Sequence, residues 1–214
     1  MCAVAHENGS LFHTDAVQAV GHIPVDVYDL GVDMLSASAH KFNGPKGVGF
    51  LYIRSGLKVM PYSDGGAQEF GLRAGTENVA GIVGMAVALK NNCDALEENT
   101  RYVEGLASEL VGMLNSSGVK YAMNGGTNRL PGLLSLSFPE FDGEAILHRL
   151  DLAGICISTG SACNSKSTEI SHVLQAIHLG DKYAKGTIRI SLGKDNIEDD
   201  VEAIFKALMK IFRV

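Results

Sequence analysis

The segment from Ser36 to Gly49, Ser-Ala-Ser-Ala-His-Lys-Phe-Asn-Gly-Pro-Lys-Gly-Val-Gly, constrains this chain more than any other. An apolar run, Val32-Asp33-Met34-Leu35, leads into it, and Val48-Gly49-Phe50-Leu51-Tyr52-Ile53 leads out. Apolar runs of strand length on either side of a polar, glycine- and proline-bearing stretch read as strand, loop, strand. Ser38, His40 and Lys41 then stand together at the end of the first strand. Upstream, residues 10–15 read as a buried strand of the parallel type, ending at Asp15, with Gln18 in the turn beyond. The pattern is that of an α/β sheet.

These residue types at strand ends point to a chemistry. A lysine is nucleophilic only when partly neutral, which a desolvated or cation-rich pocket achieves. A lone lysine in a polar loop is more often a solvated surface residue. Here it has an acid at one strand end and a serine–histidine pair at the next. Pyridoxal phosphate requires that combination: a carboxylate for its ring nitrogen, a lysine for its aldehyde and donors for its phosphate. The nucleotide phosphate loop, Gly-x4-Gly-Lys-Ser/Thr, is rejected, because Lys46 follows Pro45 and precedes Gly47.

The residues His13-Thr14-Asp15-Ala16-Val17-Gln18-Ala19-Val20-Gly21, Ser38-Ala39-His40-Lys41 and Gly44-Pro45-Lys46-Gly47 resemble those of cysteine desulfurases of the NifS/IscS type. These are class V aminotransferases of fold-type I, and the resemblance runs nearly the whole length of the chain. It implies that Lys41 holds the cofactor covalently and shuttles protons once released. Asp15 would keep the pyridine nitrogen protonated, and Gln18 would bond the ring oxygen. Ser38 and His40 would hold the phosphate, with His40 also in the catalytic set. Arg73-Ala74-Gly75-Thr76-Glu77-Asn78 matches the segment that reaches across the family's dimer, so Thr76 would complete the phosphate site of a partner subunit. Thr76 is also expected at the start of a helix, where exposed amides suit a phosphate.

The same resemblance assigns the loop Ser158-Thr159-Gly160-Ser161-Ala162-Cys163-Asn164-Ser165-Lys166-Ser167. Its small polar residues give Cys163 no packing role, whereas Cys156, between Ile155 and Ile157, reads as a buried, inert thiol. The match Gly160-Ser161-Ala162-Cys163 implies the persulfide-forming cysteine. Arg189 interrupts an apolar strand, where a charge is costly unless paired. A buried salt bridge or a bidentate substrate carboxylate would satisfy it, and the resemblance favours the carboxylate of L-cysteine. His6, His22, His148, His172 and His178 lie in no ligand pattern.

The remaining elements follow from periodicity. Helices are expected from Asn78 to about Leu96, from a Thr100 cap to Leu114, from an Asp142 cap to Leu150, over 168–178 and over 197–212. Further strands are expected over 133–138, 155–158 and 187–192. A boundary near Glu97 is expected to divide residues 1–97 from 98–214; the resemblance implies part of a large cofactor-binding domain in the first and a small domain carrying the cysteine loop in the second. Ala3 to Gly9 reads as the end of a helix that began upstream. A fold-type I enzyme is ordinarily longer, so the chain is expected to be the C-terminal part of one.

Composition sets the outer bounds. The net charge of −6 without a basic cluster disfavours a nucleic-acid partner. No segment approaches the ~18 uninterrupted apolar residues of a membrane helix, and the start lacks the regions of a secretion signal. The expected compartment is the cytoplasm, and the resemblance implies a homodimer that passes sulfur to an acceptor protein such as an iron–sulfur scaffold. The four cysteines form no Cys-x-x-Cys pair, so no metal site is expected. An aminotransferase, a selenocysteine lyase, a truncated chain without activity and one subunit of a split enzyme are the alternatives.

Overall fold

A computed structural model describes residues 1–159 and 170–213. The chain divides into two compact units, Met1–Leu96 and Glu97–Val214.

The first unit runs α1 (Cys2–Glu7), β1 (His13–Asp15), α2 (Val27–Leu30), β2 (Met34–Ser38), β3 (Gly49–Ile53) and α3 (Val79–Asp94). β1 pairs with β2 in parallel and β3 returns antiparallel, with Thr14 opposite Leu35 and Tyr52 opposite Leu35 on its other side. Because alternate side chains leave a strand on opposite faces, Leu35, Ala37, Phe50 and Tyr52 point to one side. There they meet Met85, Ala88 and Leu89 of α3, which recur at helical spacing. Asn78 caps α3 by accepting from the Gly81 amide at 3.1 Å. β1 is exposed at His13 and Asp15, not buried as its sequence predicts. Among the described residues it stands at the edge of the three-stranded sheet, paired with β2 alone.

The second unit runs α4 (Leu96–Ser116), β4 (Ala122–Met123), β5 (Leu133–Ser137), α5 (Gly143–Asp151), α6 (His172–Ala176), α7 (Asp181–Ala184), β6 (Thr187–Ser191) and α8 (Glu198–Phe212). β4, β5 and β6 form an antiparallel sheet in that order. Leu134 pairs with Ile190 and Leu136 with Ile188. All four are buried against Leu110 and Leu114 of α4, Ile146 and Leu150 of α5, and Val201 and Leu208 of α8. Each fully buried side chain of this size contributes roughly 1.5–3 kcal/mol. Gly186 closes the approach to β6: a Cβ there would lie 1.9 Å from the Phe138 carbonyl oxygen.

Three expectations change in this unit. α4 begins at Leu96, so Thr100 lies inside it; Glu97 and Glu98 occupy its first turn, where carboxylates favour a helix. Residues 155–158 are not a strand. Only Ser158 bridges to Arg189, and Cys156 is exposed rather than buried. The helix expected over 168–178 is described as five residues, capped by Ser171 on the Val173 amide.

Candidate functional site

The sheet of the first unit gathers four of the expected residues at one end. β1 and β2 are parallel, so their C-terminal ends share a side, which is where open α/β sheets bind ligands. Asp15 closes β1 opposite Ser36, on the face away from the core. Its Oδ1 accepts from the Val17 amide at 2.9 Å, fixing the turn in which Gln18 stands exposed. Ser38 ends β2 on that same face, and its hydroxyl lies 2.8 Å from Nδ1 of His40.

Lys41 follows in a 3-10 turn, Ala39–Phe42. Ala39 and Phe42 are fully buried and anchor the turn, whereas Lys41 between them is half-buried. Asn43 leaves the turn in the left-handed conformation, φ 64°, which Asn tolerates better than most residues. Gly44 then passes so close that a Cβ would lie 2.8 Å from that of Ala39. The Lys41 amine takes part in no ion pair among the described residues.

Two residues not singled out by the sequence brace this turn. His22 lies 2.7 Å through Nε2 from the Lys41 carbonyl oxygen. Asn92, on α3, donates to the Phe42 carbonyl at 2.7 Å. These contacts span 19 and 50 residues, and no local spacing announces them.

Thr76 is exposed and precedes the Asn78 cap by two residues, so it lies outside the helix rather than at its first turn. Arg189 stands on β6 opposite Ser135, on the sheet face away from the core of the second unit. Its backbone exchanges both hydrogen bonds with Ser158, at 3.0 and 2.7 Å. Among the described residues its Nε is buried without a hydrogen-bond partner. Thus the chain leading toward Cys163 is tied to the backbone of Arg189. Cys163 itself lies outside the described residues.

The donor set fits pyridoxal phosphate. Asp15 keeps a carboxylate oxygen beyond the one bonded to Val17, Lys41 offers an amine that is in no ion pair among the described residues, and Ser38 and His40 offer paired polar groups. Among the described residues no group of three His, Cys, Asp or Glu side chains is arranged to hold a metal ion.

The sequence profile of the aminotransferase class-V family matches residues 1–204. The chain belongs to the class-V aminotransferases. Within that family it is 47% identical over 209 residues to a protein named cysteine desulfurase IscS from Dictyoglomus turgidum, covering 97% of this chain and 53% of the relative. It is also 47% identical over 212 residues to a cysteine desulfurase from Gluconacetobacter diazotrophicus, covering 97% and 52%.

Solved structures agree in fold. A NifS-like protein superposes with a TM-score of 0.88 at 41% identity, covering 98% of this chain and 55% of the other. The NifS-like protein from Rickettsia africae gives 0.89 at 33%, covering 99% and 56%. A structure titled SspA in complex with cysteine gives 0.70 at 35%, covering 91% and 54%. These neighbours carry the expected α/β class and fold-type I architecture. The chain spans about half the length of the curated relatives it matches. No helix among the described residues is long and apolar enough to cross a membrane.

Proposed function

We propose that this class-V chain acts as a cysteine desulfurase, taking L-cysteine to L-alanine and delivering the sulfur to its own Cys163. The observation that carries this reading is the grouping of Asp15, Ser38, His40 and Lys41 at the C-terminal ends of two adjacent parallel strands. The names of the relatives and the cysteine in one neighbour's title support the substrate.

Residues 1–97 belong, on this reading, to the cofactor-binding domain and 98–214 to the smaller domain with the cysteine loop. Lys41 would bind pyridoxal phosphate through its amine, Asp15 would pair with the ring nitrogen and Gln18 would bond the ring oxygen. Ser38 and His40 would hold the phosphate, and His40 also takes part in catalysis. Thr76 would serve the phosphate of a second copy, which makes the active form a homodimer. When bound, the cofactor draws electron density from the substrate's Cα.

The chain's own groups do the rest. The guanidinium of Arg189 matches a carboxylate bidentately and orients the amino acid. The Lys41 amine would take the proton from Cα and deliver protons both to the carbon that loses sulfur and back to Cα, the second being the one that the Cys163 thiol releases on ionising. The Cys163 thiolate attacks that sulfur: the C–S bond breaks, an S–S bond forms, and the carbon left behind becomes the methyl of alanine. The persulfide then goes to an acceptor protein, such as an iron–sulfur scaffold, in the cytoplasm.

Alanine and protein-bound persulfide, measured together in single turnover, test the reading. Equal yields in the parent chain, with both absent in Cys163→Ala, are expected. Persulfide formation that survives Cys163→Ala would refute the assignment of the nucleophile.

A further inference from the structure

The turn that presents Lys41 is held from two directions by side chains that the desulfurase reading does not use. His22 lies in the segment between β1 and α2, and its Nε2 meets the Lys41 carbonyl oxygen at 2.7 Å. A carbonyl only accepts, so His22 carries a proton on Nε2 and donates it. The next carbonyl, that of Phe42, accepts from Nδ2 of Asn92 at 2.7 Å, and the same amide group donates to Ala88 at 2.8 Å. Asn92 is 9% exposed, so loss of its donor would leave a buried carbonyl unpaired.

The opposite side of the turn is bonded to the chain itself. Ala39 donates to the Val48 carbonyl at 3.0 Å, and Gly44 donates to the Ala39 carbonyl at 2.8 Å. The Asn43 amide also returns to Ala39. Gly21, beside His22, packs so tightly that a Cβ there would stand 2.7 Å from that of Phe42. The backbone on both sides of Lys41 is therefore fixed, while its amine takes part in no ion pair among the described residues.

We propose that His22 is a positioning residue for Lys41. By donating to the Lys41 carbonyl it sets the direction in which the side chain leaves the turn. The proposal rests on the reading that Lys41 is the cofactor lysine. Misplacement of a reacting group by about 1 Å costs on the order of a hundredfold in rate. His22 is exposed and its bond competes with water, so the effect of losing it is smaller, about three- to tenfold.

The test compares His22→Leu, which removes the donor, with His22→Gln, which returns an N–H near the Nε2 position. Two readouts are taken on the full chain. One is amide hydrogen exchange at Ala39, Asn43 and Gly44 without cofactor. The other is the share of pyridoxal phosphate trapped by borohydride on Lys41 rather than on other lysines. His22→Leu is expected to exchange about three to ten times faster at these amides and to lose Lys41 selectivity, with the parent's melting midpoint. His22→Gln is expected to restore both. Parent-like exchange and trapping in His22→Leu, or failure of the well-folded His22→Gln to recover them, overturns the proposal. If the parent traps no cofactor on Lys41, the cofactor reading fails separately. The exchange readout then decides the positioning role by itself.

Discussion

His6 Nε2 and Asp33 Oδ2 lie 2.8 Å apart, and the same Asp33 oxygen accepts from the Phe12 amide at 2.8 Å. Arg54 approaches the other oxygen at 3.5 Å. One carboxylate, 4% exposed, thereby ties α1, the entry to β1 and the residue after β3 to the start of β2.

This carboxylate makes the first unit sensitive to acid. The hydrogen bond from His6, then that from Phe12, hold the Asp33 carboxyl below the usual carboxylate range; desolvation opposes them and the charges on His6 and Arg54 add to them. A depressed folded pKa contributes stability that is present above the unfolded value, about 3.9, and is lost as pH falls through the folded value. Thermal melts at steps from pH 6 to pH 3 should show Asp33→Asn less stable than the parent at pH 6. The gap should close toward pH 3. A constant gap across that range would show that the carboxylate's charge is not what stabilises the unit.

Arg189 should separate stability from function. Among the described residues its buried Nε has no partner, and such a group costs about 1–3 kcal/mol. Arg189 is half-buried, and replacing a buried polar atom that lacks a partner with an apolar side chain of similar volume removes that cost. Arg189→Met is expected to melt at or above the parent temperature while losing at least tenfold in apparent affinity for cysteine. Denaturation and a cysteine titration check both halves. A large loss of stability would mean that the arginine serves packing.

Gly44→Ala probes the Lys41 turn from its far side. The added Cβ would sit 2.8 Å from the Ala39 Cβ and 3.0 Å from the Ala39 carbonyl oxygen. Overpacking of this kind costs about 1–3 kcal/mol. A denaturant melt should register that loss, and reductive labelling should lose its preference for Lys41. An unperturbed melt would show that the turn relaxes without strain.

The strand-turn-strand around Lys41 was legible because its signals are local: apolar runs of strand length around a polar stretch with Asn43 and Gly44 at the turn. The Asp142 cap was legible for the same reason, since its carboxylate accepts from an amide three residues on. Where partners are distant, sequence reading ended. Ile155 to Ile157 carry strand residues, but only Ser158 finds a partner on β6. Glu97 and Glu98 look like a break between helices and instead begin one. At the site, strand-end positions identified Asp15, Ser38, His40 and Lys41 as candidates. His22 and Asn92 stayed hidden, because a side chain that bonds a backbone carbonyl is determined by packing rather than by residue type.

The most direct measurement is peptide-resolved mass spectrometry of the purified chain after pyridoxal phosphate and borohydride. A single adduct on the peptide containing Lys41, absent in Lys41→Ala, is the expected result. Labelling spread over several lysines, or an adduct that persists in Lys41→Ala, would refute the assignment of Lys41 as the cofactor lysine.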